Sequence, residues 1–64
     1  MGWAVQDTLI VEDAKVELSR VKAATYLLWQ KVHAIQHKEK GPELKRLVTT
    51  IQNNLDEVEI HLNR

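Results

Sequence analysis

The sequence predicts an all-α fold, an antiparallel two-helix hairpin that dimerises into a four-helix bundle. Apolar residues recur at steps of three and four along two long stretches, as they do on one face of a helix. Gly41 and Pro42 stand together between those stretches and are the only strong break inside the 64-residue chain. The chain has no cysteine, so a single domain this small depends on helix packing and association rather than on disulfides.

The first helix is predicted over about residues 8–38, because the apolar period of a helix continues throughout that stretch. Thr25 is the one polar residue on its main apolar face. The run from Leu9 to Val11 is rich in β-branched residues, so a later start near Asp13 is the alternative. The main face consists of Val11, Ala14, Leu18, Val21, Thr25, Leu28, Val32 and Ile35.

The connection is predicted at about residues 39–42 and the second helix over about residues 42–63, because a glycine commonly follows a helix and a proline commonly opens one. Lys38 and Lys40 suit the negative end of the first helix dipole, and Glu43 suits the positive end of the second. The apolar face of the second helix consists of Leu44, Leu47, Val48, Ile51, Leu55, Val58 and Leu62.

A second apolar stripe runs along the first helix, roughly opposite its main face. A helix that is apolar on both sides is usually buried on both sides, and the second helix can cover only one of them. We therefore predict that this second stripe is the partner interface of a symmetric dimer. The alternative is tolerated surface, because exposed alanines cost little. The second stripe consists of Leu9, Val16, Ala23, Leu27 and Ala34.

Composition argues against several classes of protein. Lys and Arg balance Asp and Glu at 9 each, so the basic excess typical of nucleic-acid binding is missing. The sequence contains no apolar run long enough to cross a membrane. The stretch from Met1 to Val11 lacks a basic start and contains Asp7, which is unlike a signal peptide. The expected location is cytoplasmic.

His33 and His37 are the only candidates for metal binding, and they are weak ones. Two histidines four residues apart share a helical face, but the zinc motif of this spacing needs a Glu directly after the first His, where this chain has Ala34. Two ligands alone do not make a site. No catalytic constellation and no glycine-rich phosphate loop is present, so we expect no metal, no cofactor and no enzymatic activity.

Several residues from Thr8 onward match a pattern in a known family. They are Thr8-Leu9-Ile10-Val11, the aromatic Tyr26, Trp29, and the later Asn53-Asn54-Leu55 with Glu59 and Leu62. In these residues the chain resembles the N-terminal region of endosomal and trans-Golgi syntaxins. It departs from them where Asp7-Thr8 replaces Asp-Pro, and these residues include no third bundle helix. The resemblance implies a three-helix bundle that binds partner proteins and regulates SNARE assembly.

The function expected from these patterns is a helical protein–protein interaction and assembly module that associates with itself, as an adaptor, small chaperone or regulator. A homodimer or a complex with another helical protein would bury the apolar surface. The syntaxin-like bundle fragment is one alternative. A small hairpin-dimer regulator that binds nucleic acid is a second, against which the zero net charge argues.

Overall fold

The computed structural model describes residues 2–64 and contains two helices, α1 (Val5–His33) and α2 (Lys40–Leu62). They pack antiparallel as a hairpin, with no strand in the described part of the chain. The predicted all-α hairpin is confirmed. The molecule measures 50 × 18 × 11 Å, and its radius of gyration is 15.3 Å. A compact globule of this length would have a radius of about 11 Å, so the hairpin is elongated.

One heptad position of each helix forms the core. On α1 the buried residues recur every seventh position and include one polar residue, Thr25. The Thr25 hydroxyl donates a hydrogen bond to the Val21 carbonyl at 2.7 Å, which satisfies the buried oxygen. On α2, Gly41 and Val48 are buried, and Leu55 and Leu62 continue the same row half-buried. The α1 row is Val11, Leu18, Thr25 and Val32.

The predicted bounds of the first helix are wrong at both ends. The Ala4 carbonyl accepts hydrogen bonds from the amides of Asp7 and Thr8, so α1 begins at Val5. It therefore includes the β-branched run from Leu9 to Val11, which made the predicted start of the helix uncertain. At the other end, the amides of Ala34 and Ile35 bond to carbonyls three residues back. This tighter turn ends α1 at His33 rather than near residue 38.

The connection spans residues 34–39 instead of the predicted 39–42. Gly41 and Pro42 lie in the first turn of α2, where a missing proline N–H costs no intrahelical hydrogen bond. His37 Nδ1 accepts hydrogen bonds from the amides of Glu39 and Lys40 at 3.2 and 3.0 Å and caps the helix. A Cβ at Gly41 would lie 3.4 Å from the Ile35 carbonyl oxygen, at ordinary contact distance.

Shortening Val48 tests the core. Val48 is 5% exposed, so we expect Val48→Ala to lower the free energy of unfolding by about 1.5–3 kcal/mol through lost burial and a new cavity. Val5→Ala is the control, because Val5 is 92% exposed and its replacement should change stability by less than about 0.5 kcal/mol. Urea unfolding at one protein concentration measures both. Equal losses in the two variants would contradict the assigned core.

Removing the His37 acceptor tests the helix cap. We expect His37→Ala to destabilise the hairpin by about 1 kcal/mol, the usual cost of a lost N-terminal cap. His37→Asn retains a side-chain acceptor of the kind preferred at helix N-termini and should recover most of that loss. Urea unfolding compares the two variants. If asparagine is no better than alanine, the hydrogen bonds to the α2 amides are not what stabilises this end.

Candidate protein-interaction surface

Each helix carries a second apolar row three residues after the buried row. Three residues advance a helix by about 300°, so these side chains lie about 60° to one side of the core. Because the two helices run in opposite directions and face each other, both rows lie on the same side of the hairpin. These side chains are 37–47% exposed. With the adjacent Leu47 they form the open face: Val21, Leu28, Leu44, Leu47, Ile51 and Val58.

The opposite side of the hairpin is polar. Its positions lie four residues after the buried row and include Lys15, Lys22, Lys45, Gln52 and Glu59, together with the half-buried Trp29. We call this side the polar face. The six residues of the open face are all apolar, and Glu17 on α1 and Lys40 on α2 border them. The hairpin therefore has one mainly charged side and one mainly apolar side.

Lys22 joins the two helices across the polar face. Its ammonium lies 3.0 Å from Glu59 Oε1 and 3.2 Å from Asp56 Oδ1. The hydrogen bond to Glu59, and then that to Asp56, raises the pKa of Lys22 above its usual 10.5, because both carboxylates favour the charged ammonium. These contacts link the two helices at the surface.

Three rings stand in a row along the polar edge of α1. Tyr26 and Trp29 stack with ring centroids 6.0 Å apart, and Trp29 lies 4.0 Å from the tilted ring of His33. A shallow cavity of about 150 Å³ adjoins them. Ligand pockets usually enclose about 300–1,000 Å³, so this one suits little more than a few waters. It is lined by Lys22, Thr25, Tyr26, Gln52 and Leu55.

All members of the predicted second stripe lie exposed on the outer side of α1 or just after it. Leu27 is 61% exposed, and Ala34 follows the last helical residue. α2 covers none of the stripe. Charged residues interrupt it, since Asp13 and Arg20 occupy the same side of α1, and Arg20 pairs with Glu17 at 3.0 Å. Its role as a partner interface stays a prediction.

The two candidate metal ligands do not share a helical face. α1 ends at His33, and His37 lies in the connection, where its Nδ1 accepts two backbone hydrogen bonds. The expected i, i+4 geometry is therefore wrong, because it assumed a helix that continues past His37. Across residues 2–64, no group of three or more His, Cys, Asp or Glu side chains is placed to hold a metal ion.

Trp3 has a role that sequence reasoning missed. Its indole Nε1–H donates a hydrogen bond to the carbonyl of Leu62, the last residue of α2, at 3.1 Å. That carbonyl has no partner within the helix. The contact joins residues 59 apart in sequence, so no local pattern could have indicated it. It ties the segment before α1 to the end of α2.

No known protein family, curated protein or solved structure matches this chain. The resemblance to syntaxins stays a prediction. Neither α1 nor α2 is long and apolar enough to cross a membrane.

The Lys22 contacts predict a loss of stability at alkaline pH. A raised folded-state pKa means that the ion pairs stabilise the fold fully below pH 10.5 and are lost as pH rises through the folded pKa. We therefore expect the melting temperature of the wild type, relative to that of Lys22→Met, to fall as the pH rises above about 10.5. Lys45→Met, on the same face, controls for general alkaline effects. A difference that does not change with pH would contradict the assigned role of the ion pairs.

Proposed function

We propose that this chain is a non-enzymatic helical interaction module of the cytoplasm that associates with itself and serves assembly as an adaptor, small chaperone or regulator. The observation that carries the proposal is the apolar surface that the hairpin leaves uncovered. The chain exposes 5385 Å², whereas a compact monomeric protein of 7.4 kDa exposes about 4,200 Å². That total counts polar and apolar atoms alike. The six side chains of the open face are 37–47% exposed, and a contiguous apolar face of this kind usually binds a partner.

The distribution of charge supports binding to protein rather than to nucleic acid. Net charge is zero, and the groups on the polar face pair with each other between the helices. A phosphate-binding surface would need an excess of basic groups, since ion release supplies much of nucleic-acid affinity. Zero net charge also removes electrostatic repulsion between copies, which favours self-association.

A second candidate is a syntaxin-like bundle fragment that binds a helix of another protein and regulates SNARE assembly. One feature favours it, the groove between α1 and α2 along the open face, which is where a third helix of a three-helix bundle would pack. This candidate predicts little self-association and a gain of order when the partner helix is added.

Sedimentation equilibrium of the wild-type chain over a range of concentrations tests self-association. We expect a mass of twice 7.4 kDa or more at the higher concentrations, with helical signal and mass rising together. A folded monomer at every concentration would rule out self-association and leave binding to a different protein as the function. The presence of nucleic acid should not change the mass, and a salt-sensitive complex with it would favour the nucleic-acid regulator.

A further inference from the structure

We propose that the open face is where a second copy of this chain packs, so that two hairpins close into one four-helix bundle. The proposal rests on the self-association proposed above and adds its location and its occupant. It places the interface on Val21, Leu28, Leu44, Leu47, Ile51 and Val58 rather than on the second stripe.

The exposed area matches what a stable dimer needs. The chain exposes 5385 Å², which is about 1,200 Å² more than a compact chain of the same mass would expose. A standard protein interface buries about 800 Å² on each partner. Packing one face of the hairpin would therefore remove about two thirds of the area by which this chain exceeds a compact monomer. Four helices around one core would bury the open faces of both copies against each other.

The shape of the open face fits a second hairpin. The face is two helices wide on a molecule 50 Å long and 18 Å across, because both helices contribute a row to it. A hairpin of the same size offers a face of equal width and length, and a two-fold axis would place identical rows against each other. In such a bundle the buried row of each helix packs inside its own hairpin, and the row three residues later packs against the second copy. Val48, for example, faces α1, and Ile51 would face the second copy.

The two candidate interfaces, the open face and the second stripe, differ in the charged residues that they contain. Packing on the open face leaves Lys22 with Glu59 in water on the polar face and places Glu17 and Lys40 at the border of the interface rather than at its centre. Packing on the second stripe would bring Asp13 and Arg20 into the interface and disturb the pair of Arg20 with Glu17. Burying charges without full compensation opposes association. The second stripe is also only one helix wide.

Leu27 and Leu28 form a matched pair that decides between the two faces. They are neighbours in α1 with the same side chain, and they are 61% and 47% exposed, on the second stripe and the open face respectively. We expect Leu28→Asp to raise the dimer dissociation constant by about 100-fold or more, because it places an unpaired charge in the interface. We expect Leu27→Asp to change it by less than about threefold. Sedimentation equilibrium measures both.

Alanine variants keep the test valid if aspartate unfolds the hairpin, because alanine favours helix. Leu28→Ala and Ile51→Ala should each weaken the dimer about tenfold or more, and Leu27→Ala should leave it unchanged. Dissociation by the Leu27 variants with the Leu28 variants still dimeric would overturn the open face and leave self-association standing. The open face would also be overturned as the interface if all the variants remained dimeric. A monomeric wild type would overturn both this inference and self-association.

Discussion

Two helices share one interface, and in this hairpin that interface buries one heptad position of each. The row from Val11 to Val32 meets the row that contains Val48, and both lie along the contact line. Each helix nevertheless carries a second apolar row three residues further on, which the same contact leaves partly exposed. The chain therefore buries about half of the surface that its extended form would expose, whereas domains of this size bury about 60%.

Polar contacts join the parts of the hairpin outside its narrow core. Lys22 links the helices on the polar face, His37 caps the start of α2, and Trp3 caps its end. Thr25 occupies the middle of the core without an unsatisfied hydroxyl, because its hydrogen bond stays within α1. These contacts lie at the polar face, at the helix ends and inside α1, so none of them covers the open face.

The helices and the hairpin follow from the sequence because periodicity and one break suffice to indicate them. The exact ends of the helices do not follow from the sequence, because the Gly41-Pro42 pair suits the first turn of a helix as well as a connection. In the structure the pair lies in the first turn of α2, where the His37 imidazole accepts a hydrogen bond from the Lys40 amide. The sequence also did not indicate how little of the main face of α1 is covered, for a geometric reason. The helical wheel showed Leu28 and Val32 on one main face, but a single neighbouring helix buries only Val32.

In the proposed dimer, association and folding would be coupled. A second copy that binds only the folded hairpin stabilises it by mass action, so stability depends on protein concentration. The open face can hold one occupant at a time. A foreign helix in the groove between α1 and α2 would contact Leu28 and Ile51, the residues that the second copy needs. If both proposals held, self-association and binding of another helical protein would compete, and a dimer of this chain would be the closed form that a stronger partner has to open.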